Sequence, residues 1–108
     1  MDKQRTVCIN CIDGRFQLPI SQWIQDNYNV DYVDLVTEPG ADGFLANDGN
    51  SCEDIYRKVK LSIDVNNSST IFIVGHNDCK ANKVNESEHK DHIKEAVKRL
   101  KKEFSTIP

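Results

Sequence analysis

Thr70-Ile71-Phe72-Ile73-Val74-Gly75 is the run that decides the fold, a stretch of β-branched and aromatic residues stopped by a glycine. An unbroken apolar run, rather than an alternating one, marks a strand of a parallel sheet covered on both faces. Outward from it, Arg5 to Cys11 is a similar run broken at Asp13-Gly14, and it reads as a buried strand ending in a turn. Pro19 opens a segment in which Ile20, Trp23, Ile24 and Tyr28 fall on one helical face. Val30 to Val36 is a further strand, and the cluster Glu38-Pro39-Gly40-Ala41-Asp42-Gly43 after it predicts a long loop. Asn50 and Glu53 have the spacing of a capping box ahead of Ile55, Tyr56, Val59 and Ile63, which recur at helical intervals. Asn85 and Glu88 repeat that spacing before a final helix striped by Ile93, Ala96, Val97, Leu100 and Phe104. Its Lys94, Lys98, Arg99, Lys101 and Lys102 read as a solvated face favoured by the helix dipole. Strands alternating with helices predict a three-layer α/β/α fold with a short parallel sheet, in the order 2-1-3 if strands two and three flank strand one. In that order the first and third strands end side by side, where ligands of such sheets collect.

The composition narrows the function. With 108 residues, 14 Lys+Arg and 17 Asp+Glu, the chain is read as one domain over 1–108 with a net charge of −3. No apolar run approaches the roughly 20 residues of a membrane helix, and the amino terminus has no secretory pattern, so the expected compartment is the cytoplasm. An acidic balance and 7% aromatic residues exclude a nucleic-acid binder and favour a small-molecule substrate.

Four cysteines in a chain read as cytoplasmic point to metal or catalytic use rather than disulfides. Cys8-Ile9-Asn10-Cys11 has redox-motif spacing but lies along a strand, where residues three apart sit about 10 Å from each other. Cys8 and Cys52 are therefore read as core thiols. Cys11, at the end of the first strand, and His76 and Cys79, just after the third, are brought together by the predicted topology. Two thiolates and one imidazole suit Zn²⁺, with a fourth position left for water. His89 and His92 are three apart on the last helix and, for want of a third ligand, read as surface histidines.

The pair Cys11-x-Asp13-x-Arg15 and His76-x-x-Cys79, each following a strand, resembles the zinc signature of β-class carbonic anhydrases, and more narrowly that of their compact carbonic anhydrase-like branch. The Pro-Gly-Ala loop and the helix start at Glu88 and His89 lie in the same element order. The resemblance implies that Cys11, His76 and Cys79 ligate Zn²⁺, and that the chain interconverts carbon dioxide and bicarbonate through a metal-bound hydroxide. It implies that Asp13, paired with Arg15, orients the metal-bound water or fills the fourth position. Gly40, Ala41 and Gly75 are the expected substrate-contacting positions. A homodimer is expected, with Trp23 or Tyr28 at the contact.

The chain also departs from the pattern. Glu38-Pro39-Gly40-Ala41 stands where larger relatives carry Arg-Asn-Ala-Gly, Lys80 stands where glycine is usual, and a helical arm before the first strand and a strand near Pro108 are missing. Two alternatives follow: a non-catalytic zinc module whose Gly40 and Gly75 loops bind a small anion, and a zinc hydrolase of another small electrophile. A phosphatase is disfavoured, because three residues between Cys11 and Arg15 are too few for a phosphate cradle.

Overall fold

A computed structural model describes residues 3–47 and 49–108. Three parallel strands, β1 (Arg5–Asn10), β2 (Tyr32–Thr37) and β3 (Ile71–Ile73), form a sheet in the order β2-β1-β3. This is the predicted 2-1-3 arrangement, with β1 pairing Arg5 to Tyr32 through Asn10 to Thr37 on one side and Val7 to Ile71 through Ile9 to Ile73 on the other. The helices are α1 (Leu18–Tyr28), α2 (Ala41–Ala46), α3 (Glu53–Asn66) and α4 (Glu86–Glu103). Among the described residues no helix is long and apolar enough to cross a membrane.

The two-residue period of a strand sorts the sheet's side chains. Val7, Ile9 and Val36 join Leu45, Ile55, Val59, Ala96 and Leu100 in one core with α2, α3 and α4. Cys8 and Phe72, adjacent in register, face the other way, towards α1, where Tyr28 meets the Phe72 ring edge-on at 4.8 Å and Ile24 is buried. Cys8 is a core thiol as expected, with burial pushing its pKa up to about 12. Arg5, Ser62 and Asn66 all donate to the Asp34 carboxylate, at 2.8, 2.6 and 2.9 Å, tying α3 to β1 and β2.

Three local expectations need correction. The cluster at residues 38–43 is not a long loop, because Gly40 takes a left-handed conformation (φ 59°) and starts α2 directly. Gly43 concealed that helix; a Cβ there would meet the Asn82 side chain at 2.6 Å, so close approach, not a turn, requires the glycine. Asn50 does not cap α3: its amide donates to the Phe44 carbonyl of α2 (3.2 Å), and Cys52 occupies the N-cap without a side-chain cap hydrogen bond, its thiol lying 4.0 Å from the Asn50 carbonyl. β3 covers only Ile71–Ile73 and is half-buried, because it is an edge strand whose Ile71 N–H donates to the Pro108 carbonyl at 2.9 Å. The capping box of α4 is present as read, with Asn85 accepting from the Glu88 N–H at 2.8 Å.

Candidate metal centre

The ends of β1 and β3 bring Cys11, His76 and Cys79 together. One ligand atom from each lies within 4.8 Å of the others, and the two sulfurs are 3.9 Å apart. All three side chains are buried. Residues from distant parts of the chain meet here because β1 and β3 are parallel neighbours that stop at the same level.

Each donor is oriented by its surroundings. The fully buried Asn10 accepts from the Cys11 N–H (2.8 Å) and donates to the Phe16 carbonyl (2.8 Å), while Gln17 donates to the Cys11 carbonyl (2.8 Å). The His76 Nδ1 lies 2.7 Å from the Asn77 carbonyl, which can only accept, so Nδ1 carries the proton and Nε2 presents its lone pair. That Nε2 is buried and has no hydrogen-bond partner among the described residues. Phe16 stacks on the imidazole with ring centroids 4.2 Å apart. An orphaned imidazole nitrogen beside two thiols is the donor set a tetrahedral Zn²⁺ takes.

The electrostatics separate the two thiols. Burial pushes the Cys11 thiol up, but the His76 imidazole and the Gly40 and Asp13 backbones outweigh it and hold the thiol below its ordinary range. Cys79 stays above that range through burial, against which the Ala81 and Asn82 backbones only partly act, and beside the Cys11 sulfur. Burial lowers the His76 imidazole, yet the neighbouring Cys11, the Asn77 carbonyl and Asp13 raise it above its usual value. Cys11 is thus the more readily ionised sulfur.

Asp13 caps the short 3-10 turn at Gly14–Phe16 and accepts from Arg15 through its backbone N–H (3.0 Å), Nε (3.1 Å) and Nη2 (2.6 Å). Those contacts bring the Asp13 carboxyl down to about 2. Arg15 also reaches the Asp78 carboxylate and carbonyl, both at 3.3 Å, and so straps the two loops together. Asp78 is in the left-handed region (φ 54°). A cleft of about 390 Å³ opens over Cys11 and Cys79, walled by Asp13, Arg15, Pro39, Asp78 and Lys80 among others. Gly40 packs against the Ala81 backbone, where a Cβ would come within 3.0 Å, Ala41 is buried, and Gly75 lines a separate cavity beside His76.

Several participants were not read from the sequence. Asn10, polar inside an apolar run, was the one with a visible signal; Phe16, Gln17 and Asp78 carried none. The surface reading of His89 is overturned. It is buried, with Nδ1 2.6 Å from the Asp42 carboxylate, because α2 packs Asp42 against the first turns of α4.

Paired strand ends that converge two thiols and an imidazole beside a carboxylate-guanidinium pair define an α/β protein with a candidate metal site. The chain belongs to the family described as "Putative carbonic anhydrase", whose profile matches residues 1–108. No curated protein and no solved structure matches the chain.

Proposed function

We propose that the chain is a zinc-dependent lyase that interconverts carbon dioxide and bicarbonate, a compact member of the β class, with Cys11, His76 and Cys79 holding the metal. One observation carries this reading: three donors from two distant loops converge within 4.8 Å, and one of them, His76 Nε2, is buried without a hydrogen-bond partner among the described residues. Zn²⁺ held by such a set supplies enough Lewis acidity to bring the pKa of water to about 7.

The chain's own groups do the rest. Asp13, at about 2, remains ionised at any working pH, so it accepts hydrogen bonds and is far too acidic to serve as a general base near neutrality. Its role is to aim a donor at the metal face, and Arg15 fixes that aim. Lys80 supplies a positive charge to the cleft for a bicarbonate ion, Arg15 being engaged by the Asp13 and Asp78 carboxylates, while the Gly40-Ala41 and Gly75 segments shape the loops around the donors. The same reading makes the protein a cytoplasmic homodimer that uses the exposed Trp23 and Tyr28 faces, which light scattering of the wild type and of Trp23→Ala checks.

Stopped-flow carbon dioxide hydration by zinc-loaded protein tests the activity. Hydration well above that of Cys11→Ser supports the lyase. Stoichiometric zinc at Cys11, His76 and Cys79 with hydration no faster than that variant refutes the lyase and leaves an anion-binding zinc module or a hydrolase of another small electrophile.

A further inference from the structure

A second set of ligating side chains lies across Gly75 from the first. We propose that Asp42, His89 and His92 form a second divalent-metal site, with Asn82 as its fourth protein contact, and that it takes a borderline ion such as Zn²⁺ or Co²⁺ through nitrogen and oxygen alone. This rests on geometry separate from the proposed lyase activity.

One ligand atom from each of Asp42, His89 and His92 lies within 4.8 Å of the other two. His89 and His92 are three apart on α4, so both project from the same face, and α2 supplies the carboxylate opposite them. Asp42 and His89 are buried, at 2% and 5% exposure, where a carboxylate needs strong compensation. Without an ion, His89 Nδ1 donates to Asp42 Oδ2 at 2.6 Å, and the Asn82 amide reaches Asp42 Oδ1 at 3.1 Å and His92 Nδ1 at 3.0 Å. Among the described residues, that arrangement still leaves His89 Nε2 buried without a hydrogen-bond partner. The Asn82 amide sits between the carboxylate and the imidazole, and a half-turn about its terminal bond presents Oδ1 in place of Nδ2. Two imidazoles, a carboxylate and an amide oxygen are a donor set for zinc-like ions, and a harder one than the thiol pair of the first site.

The backbone keeps this space open. A Cβ on Gly75 would lie 2.6 Å from Asp42 Oδ2, and one on Gly43 would lie 2.6 Å from the Asn82 side chain. Gly75 is thus the shared wall, with His76 immediately after it in the chain.

Metal content after loading with excess Zn²⁺ or Co²⁺ and desalting tests the proposal, because the thiolate-to-cobalt charge-transfer band reports only the Cys11 and Cys79 site. The expected result is about two ions per chain in the wild type and about one in His92→Ala and Asp42→Asn, with the thiolate band unchanged. The Cys11→Ser, Cys79→Ser double variant should keep about one ion and lose the band. Wild-type stoichiometry in a folded His92→Ala, or one ion per wild-type chain with a full thiolate band, overturns the second site. His92 is only half-buried, so that variant serves even where Asp42→Asn fails to fold. A wild type holding an ion without any thiolate band would instead contradict the first site and leave this one standing.

Discussion

Replacing Asn10 by alanine separates positioning of the metal centre from general stability. Asn10 is fully buried and makes two hydrogen bonds, accepting from the Cys11 N–H and donating to the Phe16 carbonyl, each at 2.8 Å. Alanine leaves both groups without that partner. A buried polar group stripped of its partner costs about 1–3 kcal/mol, and water reaches Phe16 more easily than Cys11, so the expected loss is roughly 2–4 kcal/mol. Thr6→Val is the control, since Thr6 is equally buried on the same strand and donates to the Thr70 carbonyl at 2.6 Å, far from the site. It should cost about 0.5–1.5 kcal/mol without touching the Cys11 loop, because the Thr70 carbonyl keeps its bond from the Val7 N–H. Denaturant unfolding measures both losses, and competition with a chelator measures zinc affinity. Groups that orient metal ligands are typically worth about 10–100-fold in affinity, which is the drop expected for Asn10→Ala alone. Equal zinc affinity in the two folded variants would refute the claim that Asn10 aims Cys11.

Other consequences are as direct. Asp13→Asn should leave zinc content near wild type but sharply reduce hydration, because the Arg15-held carboxylate is lost while Cys11, His76 and Cys79 stay; unchanged turnover in stopped flow would exclude the orienting role. Burial alone would raise Asp34, but Ser62, Asn66 and Arg5 pull its carboxyl below the ordinary value, so the unfolded chain binds the proton more readily. Its stabilisation is therefore complete above the unfolded pKa of about 3.9 and is lost as pH falls through the lower folded value. Acid titration of unfolding should show that component missing in Asp34→Asn. Leu45→Ala, at a fully buried position of the main core, should cost about 2–5 kcal/mol by denaturant titration. Asn85→Ala removes the cap of α4 and should cost about 0.5–2 kcal/mol by the same assay, with zinc affinity at Cys11 and Cys79 unmoved.

The strand order and the convergence of Cys11 with His76 and Cys79 were legible because they follow from apolar run lengths and from the parallel connections between them. The Asn85 cap was legible because every group in it is within four residues. What escaped depends on contacts between distant segments. Gly43 looks like a loop residue until Asn82 is seen pressing against it, and Asn50 looks like a cap until its amide is seen donating back to the Phe44 carbonyl. His89 looked solvent-facing because its partner, Asp42, is 47 positions away in what read as a turn. A buried polar pair of that kind leaves no periodicity in either segment.

Anomalous diffraction at the zinc edge, from crystals of zinc-loaded protein, tests the central claim most directly. The account predicts a peak bonded to the Cys11 and Cys79 sulfurs at about 2.3 Å and to His76 Nε2 at about 2.0–2.1 Å. A fully loaded crystal with no density between those three side chains would contradict it.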